Sequence, residues 1–280
     1  MTKIGAGTRI AGVIGWPIGH SKSPLIHHHW LHEHGIDAVY GAFPVPPGRM
    51  PEAVRGLAAL GLAGANVTVP HKEAALLASD HPDALARRIG AANTLVVRED
   101  GSVAATNTDV FGFLENLRQG APDWSPAAGP ALVVGAGGAA RAVIVGLLDG
   151  GVPQILLTNR THARAEALAA EFGARIAIVD WDRRDDAVAD AHTIVNTTAA
   201  GMHGQPTLDL SLERISPAAL VTDLVYAPLE TPLLAEARAR GVATVDGLGM
   251  LLHQARPAFQ AWFGVLPEVD AALRALVLAA

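Results

Sequence analysis

Short β-branched apolar runs alternate along the chain with longer Ala- and Leu-rich stretches of helical period. "RIAGVIG" (9–15), "DAVYGAFPV" (37–45) and "GANVTVP" (64–70) read as strands, and "PLIHHHWLHEHG" (24–35), "MPEAVRGLAALG" (50–61) and "KEAALLA" (72–78) as helices. "NTLVVREDGSVAATNTD" (93–109) reads as a hairpin with its turn at Asp100-Gly101, followed by a helix over "VFGFLENLRQG" (110–120). "APDWSPAAGP" (121–130) holds three prolines and reads as a linker. A second alternating series then opens with "ALVVGAGGAARAVIVGLLDGG" and runs through "QILLTNR", "HARAEALAAEFG", "ARIAIVD", "HTIVNTT", "LVTDLVY", "TPLLAEARARG" and "VATVDG". Such alternation predicts α/β architecture, with parallel sheets covered by helices on both faces.

Composition narrows the class. The chain has 280 residues, half of them hydrophobic and 17% charged, enough to bury two cores. Formal net charge is −6 with no long basic run, which argues against nucleic acid as a partner. The absence of cysteine excludes disulfides, cysteine nucleophiles and thiolate metal sites, and fits a cytoplasmic protein. The start of the chain is Gly-rich and unlike a signal peptide. The longest apolar segment, 131–148, contains four glycines and Arg141, so it predicts a buried strand, turn and helix rather than a membrane span.

"VVGAGGAAR" (133–141) follows a strand and opens a helix. Gly135, Gly137 and Gly138 allow a tight turn and the close backbone approach that a pyrophosphate needs, although glycine-rich turns also occur for structural reasons alone. An NAD site expects an acidic residue about 20 positions on, at the end of the next strand. That strand ends here in "NRTHAR", where Arg160 can face a 2′-phosphate, Arg164 follows one helical turn later, and Asn159 and Thr161 offer hydrogen bonds. Cations at a helix start are unfavourable unless an anion sits there.

The stretch "IGHSKSPLIHHHWLHEHG" (18–35) holds six histidines and two serines. Ser23 suits the N-cap, Pro24 the first helical position and Gly35 the helix end. The hydroxyls of Ser21 and Ser23, with the free amides of a helix start, suit a carboxylate, though Ser23 could simply cap. His28 and His32 lie four apart without a third ligand in range, so no metal site is expected. Ile26 and Trp30 are expected to face the core and most of the histidines the wetter faces. "GHSKS" has serine where a nucleophile elbow needs glycine. Three further strings, "GANVTVPHK" (64–72), "GAANT" (90–94) and "NTDVFGF" (107–113), place Asn66, Thr68, Lys72, Asn93 and Asp109 at strand ends or turns. Each could be a turn residue; together they suit a polyhydroxylated carboxylic acid.

"GHSKSP", "NVTVPHK", "NTD-x-x-GF", "GAGGAAR", "NRT" and "GLGMLLHQA" occur in an order and spacing that resembles the shikimate dehydrogenase family over essentially the whole chain. The resemblance implies two α/β domains. The substrate domain, with a mostly parallel sheet, would span 1–110 and 247–280, its C-terminal helices returning after a Rossmann NADP-binding domain at 111–246. It implies reversible reduction of 3-dehydroshikimate to shikimate with NADP as cofactor, in a cytoplasmic monomer or homodimer with small-molecule partners, no nucleic acid and no membrane. Carried over by position, Lys72 and Asp109 resemble the catalytic pair, in which Lys72 gives the proton and Asp109 orients it. Ser21, Ser23 and Tyr226 resemble the carboxylate contacts. Asn66, Thr68, Lys72, Asn93, Asp109 and Gln254 resemble the contacts to ring hydroxyls. Cofactor contacts fall on Gly135, Ala136, Gly137, Gly138, Ala139, Asn159, Arg160, Thr161, Arg164, Thr198, Leu224 and Gly247. Ala92 stands where the family usually has valine, and Ala199 and Ala200 where it is less apolar. A quinate/shikimate dehydrogenase and an amino-shikimate variant are alternatives within the class. A non-catalytic NADP-binding regulator is the alternative outside it, and should have lost Lys72 or Asp109. Quinate-using members often carry threonine at the second hydroxyl of S-x-S-P, so Ser23 leans toward shikimate.

Overall fold

The computed structural model describes residues 4–280 and divides into two compact units, one of the chain up to Thr108 with Gln254–Ala280, the other of Asp109–His253. The first unit is built from β1 (Arg9–Gly15), α1 (Ser23–Glu33), β2 (Ala38–Pro44), α2 (Met50–Ala59), β3 (Gly64–Val67), α3 (Lys72–Ala78), β4 (His81–Pro82), α4 (Ala84–Ile89), β5 (Thr94–Val97) and β6 (Val103–Thr106). Its sheet runs β2-β1-β3-β5-β6-β4. β1 pairs in parallel with β2 and β3, and β6 with β4. The β5–β6 hairpin inserts two antiparallel pairings. Asp100 Oδ1 accepts from Ser102 N at 2.9 Å, and Gly101 takes the left-handed φ of +80° that the turn needs. Gly64 has its own necessity: a Cβ there would lie 2.1 Å from the Leu95 carbonyl and 2.3 Å from Trp262 Nε1.

The second unit comprises α5 (Asp109–Gly120), β7 (Ala131–Val134), α6 (Gly138–Gly150), β8 (Ile155–Thr158), α7 (His162–Phe172), β9 (Ile176–Val179), α8 (Arg184–Val188), β10 (Thr193–Asn196), β11 (Leu220–Asp223), α9 (Pro232–Ala239), β12 (Ala243–Val245) and α10 (Leu248–His253). Its sheet is wholly parallel in the order β12-β11-β10-β7-β8-β9, the doubly wound Rossmann arrangement with the order reversing beside β7. The four residues of β7 are fully buried, as a central parallel strand covered on both faces requires.

Two expectations change. The proline-rich segment 121–130 is not a linker between units; it lies inside the second one. Trp124 Nε1 donates to Thr193 Oγ1 at 2.9 Å, and Pro126–Ala128 forms a 3-10 turn. Proline removes backbone donors but does not prevent packing. The division also falls at 108/109 and 253/254 rather than 110/111 and 246/247, because α10 packs on α5. Asn116 Nδ2 reinforces that packing by donating to the Asp246 carbonyl at 2.7 Å. The chain returns to the first unit as α11 (Ala255–Phe263) and α12 (Ala271–Leu278). There Trp262 Nε1 donates to the Leu95 carbonyl at 3.0 Å, and Trp30 Nε1 to that of Glu268 at 3.0 Å. No described helix is long and apolar enough to cross a membrane.

Candidate active site and dinucleotide cleft

In the first unit, Ser21 and Ser23 follow β1, Asn66, Thr68 and Lys72 lie on or just after β3, and Asn93 immediately precedes β5, whose first residue pairs with Asn66. Asn66, on β3, is nearly buried: its Nδ2 donates to the Asn93 carbonyl at 3.3 Å and to Thr94 Oγ1 at 3.2 Å, while its Oδ1 accepts from the Tyr40 hydroxyl at 2.7 Å. Both Asn66 donor hydrogens are therefore used inside the protein, leaving one Oδ1 lone pair for a ligand. Asn93 Oδ1 accepts from Thr108 N at 2.8 Å, Thr108 Oγ1 at 3.1 Å and Thr94 Oγ1 at 3.0 Å. Such a satisfied polar floor fixes side-chain directions.

Thr68 follows β3, its N–H donating to the Ile14 carbonyl at 2.9 Å. Gly15 leaves it room, since a Cβ there would sit 2.6 Å from Thr68 Cγ2. After the cis Val69-Pro70 bond, His71 Nε2 and the Val45 carbonyl lie 2.7 Å apart, and half-buried Lys72 opens α3. Asp109 is the first residue of α5 and belongs to the second unit, as does Tyr226; Gln254 belongs to the first.

The serines depart from the sequence reading. Ser23 is not the N-cap: Lys22 holds that position, and Ser23 is the first helical residue, almost buried. Ser21 Oγ instead accepts from Ser23 N at 3.3 Å, so Ser21 takes up a helix-start donor and the Ser23 hydroxyl is not spent on capping. Among the histidines, His28 and His32 are exposed as expected, but His27 is fully buried. Its ring stacks on Tyr40 with centroids 3.9 Å apart and planes at 4°. Neither ring nitrogen finds a hydrogen-bond partner among the described residues. Burial lowers its pKa to about 3. The helical period assigned the core to Ile26 and Trp30 and missed that His27 shares their face. Tyr40, Thr94 and Thr108 were missed because a tyrosine and a threonine on strands and a threonine before a helix carry no signal of their own.

In the second unit a cleft of about 480 Å³ lies along the ends of β7, β8 and β10, lined by Gly135, Gly137, Arg160, Arg164 and Thr198 among others. Gly135 has φ +110°, and a Cβ would lie 2.6 Å from Thr197 Oγ1. At Gly137 and Gly138 a Cβ would meet nothing within 4 Å, so the start of α6 faces open space. Asn159 braces the turn from within, its Oδ1 accepting from Ala136 N at 3.2 Å and its Nδ2 donating to the Thr161 carbonyl at 2.8 Å. Exposed Arg160 and Arg164 enter no ion pair among the described residues, although they flank the start of α7. Two unneutralised cations at a helix start, beside an open glycine turn, fit the phosphates of a 2′-phosphorylated dinucleotide. Ala139 is exposed at the start of α6, and Ala199 and Ala200 line the cleft, whereas Ala92 is buried in the first unit's core. Gly247 passes so close to Leu224 that a Cβ would lie 2.5 Å from its carbonyl oxygen.

Behind the cleft stands a network the sequence did not reveal. Buried Asp223 accepts at Oδ1 from Asn196 Nδ2 and Val225 N, both at 2.9 Å, and at Oδ2 from Thr231 Oγ1 at 2.7 Å. Burial raises the Asp223 pKa, and those three donors oppose the rise.

A Rossmann sheet with an open glycine turn and free arginines, joined in one chain to a second α/β unit with a polar floor, defines a two-domain dinucleotide-dependent oxidoreductase. Family models described as shikimate dehydrogenase substrate binding domain, shikimate/quinate 5-dehydrogenase and shikimate 5′-dehydrogenase C-terminal domain match residues 13–95, 125–206 and 247–277. The chain belongs to the shikimate dehydrogenase family. It is 59% identical over 274 residues to the shikimate dehydrogenase (NADP(+)) of Rhodospirillum rubrum, covering 96% of this chain and 97% of that one. With the enzyme of the same name from Paracoccus denitrificans it shares 54% over 270 residues, 96% of each chain. Among solved structures, shikimate 5-dehydrogenase from Thermus thermophilus in complex with NADP(H) and shikimate matches with TM-score 0.86 and 37% identity, over 97% of this chain and 99% of that one. Quinate dehydrogenase from Corynebacterium glutamicum in complex with NAD matches with TM-score 0.91 and 31% identity, over 98% and 99%.

Proposed function

We propose that this protein catalyses the reversible NADP-linked reduction of 3-dehydroshikimate to shikimate, as a cytoplasmic monomer or homodimer. The observation that carries the reading is 59% identity over 96% of the chain with an enzyme of that name. NADP(H), when bound, supplies or accepts the hydride at the nicotinamide. Arg160 and Arg164 hold its 2′-phosphate, and the amides of Gly137 and Gly138 at the start of α6 hold its pyrophosphate.

The first unit holds the acid. Ser21 and Ser23 bind the carboxylate with the start of α1. Asn93, Thr68 and Gln254 bind ring hydroxyls, and Asn66 contributes as an acceptor because its amide hydrogens are engaged. Lys72 donates the proton that the nascent C3 alkoxide takes up and stabilises the charge that develops there; Asp109 is the second member of the catalytic pair. In the oxidation direction the proton returns to Lys72.

The second reading is quinate/shikimate dehydrogenase, favoured by the match to a quinate dehydrogenase. A spectrophotometric panel of shikimate and quinate, each with NADP⁺ and NAD⁺, separates the two. Turnover of shikimate with NADP⁺ alone is expected. Efficient quinate turnover would move the assignment to the second reading, and no turnover of either acid would reject both.

A further inference from the structure

Asn196 ends β10 and Asp223 ends β11, and the two are register partners across adjacent parallel strands. Asn196 is fully buried and every polar position on its amide is engaged. Its Oδ1 accepts from Thr198 N at 3.0 Å and Thr198 Oγ1 at 2.7 Å; its Nδ2 donates to the Ala200 carbonyl at 3.0 Å and to Asp223. A backbone N–H can only donate, so Oδ1 must face Thr198 and Nδ2 must face Asp223. The turn made by Thr197, Thr198, Ala199 and Ala200 lines the dinucleotide cleft, on the other side of β7 from Arg160. Asp223 itself does not line the cleft. Its carboxylate fixes the amide that fixes the turn, and through Val225 N it also fixes the chain just before Tyr226.

We propose that Asp223 is a positioning residue for the dinucleotide, acting through Asn196 to hold the 197–200 turn against the half of the cofactor remote from Arg160; this rests on the dinucleotide reading above. Removing the carboxylate leaves one Asn196 Nδ2 hydrogen and Val225 N without their buried acceptor, and the amide that holds the turn loses its anchor. Asparagine at 223 keeps the arrangement. Its Oδ1 serves Asn196 and Val225 as before, and its Nδ2 donates to Thr231 Oγ1, whose hydroxyl turns to accept.

The test is calorimetric binding of NADP⁺ and of adenosine 2′,5′-bisphosphate to the full chain. The bisphosphate reports the Arg160 end, which Asp223 does not hold. Asp223→Ala is expected to weaken NADP⁺ at least about tenfold and the bisphosphate less than about twofold, with Asp223→Asn restoring NADP⁺ to within about threefold of wild type. Asn196→Ala removes the same link while leaving the carboxylate bonded to Val225 and Thr231, and should show the same selective loss if Asp223→Ala does not fold. Unchanged NADP⁺ affinity in these variants overturns the proposal, as does parallel weakening of both ligands. A wild-type chain that binds neither ligand rejects the dinucleotide reading itself.

Discussion

The Tyr40 hydroxyl donates to Asn66 Oδ1 at 2.7 Å, and because Asn66 Nδ2 is committed to the Asn93 carbonyl, the amide can point only one way. Burial pushes the Tyr40 phenol well above its ordinary pKa, so that proton stays in place. Tyr40→Phe keeps the ring stacked on His27 but leaves the nearly buried Asn66 oxygen without its donor. We expect a loss of about 1–3 kcal/mol in denaturant unfolding. The KM for shikimate should rise more than the Kd for NADP⁺. Equal stability and unchanged KM would mean the bond orients nothing.

His27 ties stability to pH. Burial lowers its pKa from 6.5 to about 3, so between those values the unfolded chain binds a proton at this position that the folded chain does not. Its contribution is therefore complete above pH 6.5 and lost as pH falls toward 3, by roughly 2 kcal/mol at pH 5. His27→Phe preserves the stack without the titration. Unfolding free energies followed from pH 7 to pH 5 should decline less in the variant; parallel curves would sink the idea.

For cofactor choice, Arg160 and Arg164 replace the acidic strand end of an NAD site. Two charge-assisted phosphate contacts worth roughly 1.5–3 kcal/mol each imply a preference for NADP⁺ over NAD⁺ on the order of 100-fold in kcat/KM. Arg160→Ala should weaken NADP⁺ far more than NAD⁺. Equal rates with both cofactors in the wild type would reject this assignment.

Much of this was legible in the residues. β7, the Gly135 turn and α6 follow from an apolar run broken by glycines, since only a strand, tight turn and helix satisfy both features. The arginines at 160 and 164 were visible because a cation at a helix start needs a reason. What stayed hidden depends on chain crossings. Asp223 and Asn196 meet only because β10 and β11 are adjacent, and Tyr40 meets Asn66 only across β2, β1 and β3. His27 misled because a histidine on a helix reads as polar, whereas a stack on Tyr40 gives its ring a buried place. Ser23 misled in the opposite direction: serine before proline reads as a cap, yet Ser21 accepts the amide hydrogen.

For catalysis, Lys72→Ala should lower kcat by roughly 10²–10⁴, the usual worth of a positioned acid or base. Shikimate affinity by calorimetry should change much less. Asp109→Asn should also lose rate, and the double variant should fall far short of the product of the single losses, because the two act on one proton. A kcat within a few-fold of wild type in Lys72→Ala would make Lys72 a binding residue only.

Substrate choice rests on the start of α1. Ser21 Oγ is engaged by Ser23 N, and the Ser23 hydroxyl is not used in capping the helix. The site thus offers a hydroxyl and a helix start to an anion, and the carboxylate should be indispensable. Quinate carries the same carboxylate but adds a tertiary hydroxyl at C1, where shikimate has a flat alkene. The threonine often found at this position in quinate-using relatives differs from Ser23 by one methyl group, worth about 1–3 kcal/mol in discrimination. Shikimate oxidation with weak or absent quinate activity is therefore expected, and Ser23→Thr should narrow the gap by about tenfold rather than invert it. The methyl ester of shikimate isolates the charge, since it keeps the ring and its hydroxyls. It should turn over at least about 100-fold less efficiently than the acid, as loss of two charge-assisted hydrogen bonds implies. If the ester is used as well as the acid, Ser21 and Ser23 serve only the helix, and the carboxylate is bound elsewhere.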